Sequence, residues 1–336
     1  MNPGRWALAA VMALGVVGCS EDEPTAEPDT GRSASPTASP ESSSAPPSGP
    51  VETREPVEAE TTPVAPDPPR FDKDAALRTI RRLAGRIGPR EAASPEFERA
   101  AEWVTDRFAR LGYDVDRERV RVPAGVSWGI PVDAGHTWNI IAPTADLQPG
   151  DPYRIVGAHL DTVPQAPGAE DNASGISVLL ELARLAAATP PRLPVVFVAF
   201  GGEEPRGDGD DDHHFGSSAY VEAMSGRQRR SLDAMVSMDR VGVGPVVPVC
   251  SGGLEPPTVR RSLLRTAGRL DIPAEPCANQ ASDHWSFDKA GLPAARVGGT
   301  SYAEYHSAAD RPGVPQPRQL ARVGRLMWQW LGGGRS

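Results

Sequence analysis

Residues 195–204 read Val-Val-Phe-Val-Ala-Phe-Gly-Gly-Glu-Glu. Six consecutive apolar side chains followed by two glycines predict a short strand inside a buried sheet. Two adjacent carboxylates, Glu203 and Glu204, follow at the end of that strand. Because neighbouring carboxylates repel each other, their placement beside a buried sheet requires a compensating cation. The alternative interpretation is a pair of solvent-exposed loop acids.

Similar apolar runs alternate with helical stretches from Phe71 onward. Strands are predicted at residues 113–122, 155–156, 195–200, 234–238, 246–249 and 294–297. Helices are predicted at residues 73–86, 95–111, 176–187, 216–224, 258–270 and 319–331. Such alternation is typical of α/β proteins. We therefore predict a single three-layer α/β/α domain at residues 71–336, with a mainly parallel central sheet.

Candidate metal ligands follow three of these strands. They are His159, the pair Glu203 and Glu204, and Asp239. In open α/β sheets, ligands bind where the strands reach their carboxyl ends, so we expect these side chains to lie close together.

Two further candidates lie in loops: Asp171 before a predicted helix, and His306 after Tyr305. Each motif is weak by itself, because an acid before a helix can simply complement the helix dipole. Asp161, two residues after His159, can orient that imidazole from behind. Together, two imidazoles and three carboxylates can hold a pair of divalent metal ions, with one carboxylate bridging them. The sequence therefore predicts metal-assisted hydrolysis, most simply of a peptide bond.

These motifs resemble those of the secreted co-catalytic zinc aminopeptidases, a metallopeptidase family that also includes glutamate carboxypeptidase and glutaminyl cyclase. The resemblance covers most of residues 71–332. It is carried by Gly157-Ala158-His159-Leu160-Asp161, Asp171-Asn172-Ala173-Ser174-Gly175, Gly202-Glu203-Glu204, Met238-Asp239, Ser282-Asp283-His284-Trp285-Ser286-Phe287 and Tyr305-His306.

The resemblance implies two zinc ions in a zinc-exopeptidase-like fold. The implied ligands are His159 and Asp239 on one zinc, Glu204 and His306 on the other, and Asp171 as the bridge. Glu203 is the implied general base for a hydroxide shared by the metals, and Tyr305 is implied to stabilise the oxyanion. The implied activity is removal of N-terminal residues from peptides. The alternatives are a carboxypeptidase or dipeptidase, a glutaminyl-cyclase-like acyl transferase, and a non-catalytic lipid-anchored binding domain.

The chain departs from the family pattern after Glu204. Residues 205–214 are rich in Asp and His, where the family often has a short turn into a helix. We interpret them as a solvated rim loop; binding of an extra cation or of the positive amino terminus of a substrate are the alternatives. The pattern gives Arg240 no role, and we expect Asp283 and His284 to support the wall of the site.

The N-terminus predicts export. Arg5 precedes an apolar run at residues 6–17 that is too short to span a bilayer comfortably. Residues 16–19 resemble a bacterial lipobox, which predicts a lipoprotein signal peptide at 1–18 and lipidation of Cys19. A signal peptide with an incidental cysteine is the alternative. We therefore expect the protein to be anchored to the outer face of the bacterial cell membrane, or secreted.

Residues 19–70 are rich in Ser, Thr, Pro, Ala and Glu, so they predict a disordered tether. Residues 1–70 carry 11 acidic and 4 basic side chains, and the remaining 33 acids and 31 bases nearly balance. The folded part therefore lacks the positive charge expected of a nucleic-acid-binding protein, and peptides are the expected partners.

Cys250 and Cys277 remain beside Cys19, and in an exported protein they favour a disulfide over two buried thiols.

Overall fold

A computed structural model describes residues 70–333. The predicted signal peptide, Cys19 and the predicted tether lie outside these residues. Within the described range, no helix combines the length and the apolar character needed to cross a bilayer.

The centre of the domain is an eight-stranded sheet with the order β1-β4-β6-β5-β7-β10-β8-β9. Its strands are β1 Asp116–Val122, β4 Gly135–Pro143, β5 Tyr153–His159, β6 Val195–Phe200, β7 Leu232–Asp239, β8 Val247–Ser251, β9 Ala274–Ala278 and β10 Ala294–Gly298. The two short strands β2 Gly125–Ser127 and β3 Ile130–Val132 form a separate hairpin. The central strands β6, β5, β7 and β10 run parallel, whereas β1, β4 and β8 join by antiparallel pairing.

The helices are α1 Lys73–Ile80, α2 Pro95–Arg110, α3 Gly175–Ala188, α4 Phe215–Ala223, α5 Gly226–Ser231, α6 Thr258–Arg269, α7 His284–Lys289 and α8 Pro317–Trp330. Helix α1 continues into a π-helical segment, Arg81–Ile87. Helix α2 begins as the sequence predicts, since the Ser94 hydroxyl accepts a hydrogen bond from the Phe97 amide. This cap satisfies an amide that has no partner inside the helix.

Both faces of the central strands are buried, which produces the three-layer architecture. Along β6, Phe197 packs into one apolar cluster together with α1, α2, α3, α6 and α8. Its neighbours Val196 and Val198 face the opposite cluster, which contains Val221 of α4 and Phe287 of α7. Because side chains alternate along a strand, an unbroken apolar run is what a strand covered on both faces requires.

Two strands of the central sheet, β4 and β9, are absent from the sequence-based prediction, as is the β2–β3 hairpin. Strand β4 carries buried polar residues, among them Asn139, whose amide donates to Glu118 and to the Gly216 carbonyl. Strand β9 is short, contains Pro276, and pairs with β8 at the sheet edge. Neither β4 nor β9 has a continuous apolar sequence pattern. Tertiary hydrogen bonds stabilise β4, and pairing with β8 at the sheet edge stabilises β9.

Cys250 of β8 and Cys277 of β9 are joined by a disulfide that closes a loop with a sequence separation of 27. We expect the double variant Cys250→Ser/Cys277→Ser to lose roughly 3 kcal/mol of unfolding free energy, because the open chain gains conformational entropy when unfolded. Thermal denaturation with and without a reducing agent measures this effect. The reductant should lower the melting temperature of the native protein and leave that of the double variant unchanged; an equal response of both would contradict the prediction.

Candidate metal centre

The candidate ligands meet at one edge of the sheet. His159 is the last residue of β5, Asp239 is the last residue of β7, and the pair Glu203 and Glu204 follows β6. Since these three strands are parallel neighbours, their carboxyl ends open onto the same place. All four side chains are nine-tenths or more buried.

Asp171 lies between the two candidate imidazoles. Its Oδ1 is 3.1 Å from Nε2 of His159, and its Oδ2 is 3.1 Å from Nε2 of His306. Each oxygen therefore faces a different histidine, which is the geometry of a carboxylate placed between two ligand sets. The peptide bond that follows Asp171 is cis.

A second carboxylate completes each ligand set. Asp239 Oδ1 lies 3.7 Å from Nε2 of His159, and Glu204 Oε2 lies 3.5 Å from Nε2 of His306. Within residues 70–333, buried ligand atoms of three of these residues lack a hydrogen-bond partner: His159 Nε2, Asp239 Oδ1 and Glu204 Oε1. Imidazole nitrogens and carboxylate oxygens are ligands that zinc accepts, so the residues fit a divalent metal ion.

Burial and mutual repulsion dominate the electrostatics of the cluster. Burial raises the pKa of Glu203 and that of Glu204 to about 7 in each case. Burial alone would lower the pKa of His306, but the charges of Glu204 and Asp171 raise it to about 10. These shifts reflect an excess of buried negative charge, which divalent cations stabilise.

Two further buried aspartates hold the backbone of the ligand segments. Asp161 accepts hydrogen bonds from the amides of Glu203 and Glu204, both at 3.1 Å. Its carboxylate is 3.7 Å from Nδ1 of His159. Asp161, which the sequence identified as a support for His159, thus also fixes the end of β6. Asp310 holds the backbone of Asp171 in the same way, because its carboxylate accepts a hydrogen bond from the Asp171 amide at 3.1 Å.

Asn172 ties the segment that carries Asp171 to the end of β7. Its side-chain amide donates to the Met238 carbonyl at 2.9 Å, and its carbonyl oxygen accepts from the Gly175 amide at 2.9 Å. Gly175 is the first residue of α3, and a Cβ at this position would collide with the Met238 carbonyl oxygen. The helix can approach the strand this closely only because Gly175 has no side chain.

Arg296, a fully buried residue of β10, belongs to the site although it was not predicted from the sequence. Its Nη2 lies 2.9 Å from Oδ2 of Asp239. Although burial opposes ionisation of Asp239, the guanidinium of Arg296 lowers the pKa of this carboxyl far below its usual range. An arginine inside the apolar run Ala294–Val297 was the available signal, because a buried charge requires a partner.

The rim loop at residues 205–214 is anchored at its start and at its middle. Arg206 is buried, donates to the Pro123 and Asp133 carbonyls, and pairs with Glu91. Asp210 accepts from the indole of Trp285 at 2.9 Å.

The loop also delivers His214, another residue that the sequence analysis did not assign. Its Nε2 lies 3.3 Å from Oε1 of Glu203, and its own amide donates to the Glu203 carbonyl at 3.0 Å. Burial lowers the pKa of His214 to about 3, so a neutral imidazole faces Glu203. The expected wall residues Asp283 and His284 are also buried, where α7 begins.

A cavity of about 260 Å³ opens onto the cluster and is lined in part by Tyr305, Arg240 and Trp128. The ring of Tyr305 stacks on that of His306 with 3.7 Å between the centroids. Trp128, at the tip of the β2–β3 hairpin, makes edge-to-face contacts with both of these rings and is 52% exposed.

Several cavity-lining residues have a left-handed backbone although they are not glycine. They are Trp128, His214, Arg240 and His306, with φ values of 47°, 60°, 54° and 50°. Among the described residues, Asp271 is the one other non-glycine position with positive φ. Such conformations cost about 1–3 kcal/mol each, so their concentration around one cavity indicates a functional constraint.

Fold and site together define the class: an α/β protein with a buried donor set suited to metal-assisted hydrolysis. The chain belongs to peptidase family M28, whose family model matches residues 139–331, more than half of its length. This finding confirms the family expected from the sequence motifs.

Two curated relatives illustrate how far the similarity extends. The protein YfbL of Escherichia coli (strain K12) is 31% identical over 188 residues, which cover 53% of this chain and 52% of YfbL. Aminopeptidase YwaD of Bacillus subtilis (strain 168) is 40% identical over 87 residues, which cover 26% of this chain and 18% of YwaD. The chain therefore spans about half the length of YfbL and less than a fifth of YwaD.

Solved structures extend the comparison. The zinc aminopeptidase BSAP from Bacillus subtilis matches with a TM-score of 0.69 at 19% identity, covering 79% of this chain and 95% of BSAP. A glutaminyl cyclase from Bacteroides thetaiotaomicron matches with a TM-score of 0.68 at 18% identity, covering 80% of this chain and 100% of the cyclase. At these identities the likeness concerns the fold, and the predicted α/β architecture is confirmed.

The close approach at Gly175 yields a test of the scaffold. We expect Gly175→Ala to lower the unfolding free energy by about 1–3 kcal/mol, because the new Cβ forces α3 away from β7. Gly268→Ala in α6 is the matched control. Outside its own helix, a Cβ there would meet no atom of the described residues within 4 Å, so helix propensity should make it neutral or slightly stabilising. Urea denaturation measures both, and equal stabilities would refute the proposed close packing.

Proposed function

We propose that this protein is a zinc-dependent aminopeptidase that binds two zinc ions and removes N-terminal residues from peptides. The observation that carries this proposal is the position of Asp171, whose two carboxylate oxygens face two different histidines at 3.1 Å. Membership of peptidase family M28 supports peptide-bond hydrolysis, and the relative YwaD, named an aminopeptidase, supports the exopeptidase class.

The proposed ligands divide into two sets that share Asp171. His159 and Asp239 would hold one zinc ion, while Glu204 and His306 would hold the other. Bound there, zinc would polarise the substrate carbonyl and lower the pKa of the attacking water. Arg296 would keep Asp239 oriented and ionised through its 2.9 Å contact.

Glu203 is the proposed general base. One of its oxygens lies 3.9 Å from Nε2 of His159, at the cluster, and the other faces His214 at 3.3 Å. Glu203 would take a proton from the attacking water and return it to the departing amine. Asp161 would hold the Glu203 backbone in position, and Tyr305 would donate a hydrogen bond to the developing oxyanion.

The rim provides negative charge for a substrate amino terminus. Asp208 of the rim loop lines the cavity beside the carboxylates of the cluster. A protonated α-amino group would be attracted to this side of the cavity, which favours exopeptidase over endopeptidase action.

We also propose that the protein is exported and tethered by a lipid on Cys19. The apolar run at residues 6–17, the lipobox-like residues 16–19 and the polar composition of residues 19–70 support this placement. Labelling with a radioactive fatty acid, compared with a Cys19→Ser variant, tests it.

The role of Glu203 has a sharp test. We expect Glu203→Gln to lower kcat by roughly 10²–10⁴-fold while zinc content stays unchanged, because the amide keeps the shape of the side chain and cannot accept the proton. Glu222→Gln, an exposed position on α4, is the matched control and should retain activity. Near-normal turnover by Glu203→Gln would exclude Glu203 as the base.

The bridging role of Asp171 predicts unequal metal loss. We expect Asp171→Asn to retain less than one zinc ion per chain after dialysis, since it contributes to both sets, whereas Asp239→Asn should retain one. Asp211→Asn, whose side chain is 99% exposed, should keep two. Elemental analysis of the three proteins measures this, and tight retention of both ions by Asp171→Asn would contradict the shared-ligand arrangement.

Digestion of a peptide library by the zinc-loaded protein, read at both termini, tests the activity as a whole. Loss of single N-terminal residues is the expected result. Loss of C-terminal residues would instead identify a carboxypeptidase. Conversion of N-terminal glutamine to pyroglutamate without cleavage would identify a cyclase.

A further inference from the structure

Among the described residues that line the cavity, Arg240 is the one arginine or lysine. Neither the proposed metal ligands nor the proposed general base explains its role. It directly follows Asp239, and its side chain is 13% exposed. Its backbone is fixed in a left-handed conformation, because its amide donates to Asn172 at 3.3 Å and its carbonyl accepts from Gly299 at 3.1 Å. The side chain is thereby directed along the cavity wall.

The guanidinium of Arg240 is held by an aromatic ring and by an ion pair. It lies over the ring of Tyr305, with Cζ 4.5 Å from the ring centroid. Its Nε is 3.7 Å from Oδ1 of Asp239, which is beyond hydrogen-bond range. Within residues 70–333, the side chain donates no hydrogen bond to another residue, in contrast to the buried Arg90, which donates to several backbone carbonyls.

Asp239 balances the charge of Arg240 through an ion pair at 3.7 Å, which uses none of the hydrogen-bond donors of the guanidinium. Arg296 already pairs with Asp239 at 2.9 Å, on the opposite carboxylate oxygen. The donors of Arg240 are therefore left for a group that enters the cavity. A planar guanidinium with free donors, stacked on an aromatic ring, is well suited to bind a carboxylate through two parallel hydrogen bonds.

The position of Arg240 limits which carboxylate can reach it. Nε of Arg240 lies 3.7 Å from Oδ1 of the candidate ligand Asp239, so the guanidinium directly borders the ligand cluster. If the scissile bond of a peptide lies at the ligand cluster, the residue that follows this bond therefore lies close to Arg240.

We propose that Arg240 is a specificity-determining residue that binds a carboxylate of the substrate. This carboxylate belongs to the residue that directly follows the scissile bond on its C-terminal side. This inference rests on the proposed peptidase function and narrows its substrate class. The carboxylate is either the C-terminus of a dipeptide or the side chain of an acidic residue at that position. Substrates with this group are preferred, because the buried cation gains a partner that a neutral substrate cannot supply.

Matched substrates separate the two sources of the carboxylate. Leu-Gly is compared with Leu-Gly-amide for the C-terminal carboxylate, and Leu-Asp-amide with Leu-Asn-amide for the side chain. For the native protein we expect kcat/KM to favour the charged member of at least one pair by about tenfold or more, mainly through KM. Arg240→Gln should reduce this ratio to near one, Arg240→Lys should give an intermediate ratio, and the exposed control Arg265→Gln should leave it unchanged.

Equal rates for the charged and neutral members of both pairs in the native protein would overturn the proposal while the peptidase function stands. The same conclusion follows if Arg240→Gln slows both members of a pair equally, because Arg240 would then act only by supporting Asp239.

Calorimetry in the Glu203→Gln background provides a readout without turnover. Leu-Gly should bind more tightly than Leu-Gly-amide, or Leu-Asp-amide more tightly than Leu-Asn-amide, and the added Arg240→Gln change should abolish the difference. If the native protein hydrolyses no peptide, the proposed function fails, and this binding comparison still decides the role of Arg240. Binding differences that survive Arg240→Gln would refute it.

Discussion

The burial of several carboxylates at one edge of the sheet is the constraint on which the rest of this structure depends. Asp171, Glu203, Glu204 and Asp239 each lie within a few ångströms of His159, of His306 or of both, in surroundings that raise the cost of each charge. Such an arrangement is stable only if cations or hydrogen-bond donors compensate the charges. The protein supplies Arg296 as a partner for Asp239, and the remaining ligand atoms face one another in a geometry suited to metal ions.

A rigid scaffold holds these groups in place. Asp161 and Asp310 each accept backbone amides from a ligand segment, so the ligands are fixed through the main chain as well as through their own side chains. Asn172 and Gly175 let α3 contact the end of β7 directly. Positions far apart in the chain are thereby brought within hydrogen-bond distance, which is how preorganised sites achieve their precision.

The cavity wall differs in character from the ligand cluster. Aromatic rings, a rim loop and the guanidinium of Arg240, which donates no hydrogen bond within the described part of the chain, replace paired and buried acids, and the strained backbone positions concentrate here. The ligand cluster is suited to the hydrolysis step itself, whereas the residues of the cavity wall are suited to determining substrate specificity. The division follows from location, because the sheet fixes the strand ends while loops form the surface above them.

The sequence by itself determined the α/β class, the strands that run through the centre of the sheet, and the residues that gather at their ends. It could do so because an unbroken apolar run such as Val195–Phe200 has one favourable environment, and the polar residues that follow it must lie at the sheet edge. The tertiary structure decided the rest. Strand β4, the pairing of Arg296 with Asp239, and the contact of His214 with Glu203 depend on partners 13, 57 and 11 residues or more away, which no local pattern encodes. Long-range contacts of this kind are set by packing of the whole sheet, so they become visible only once the chain is folded.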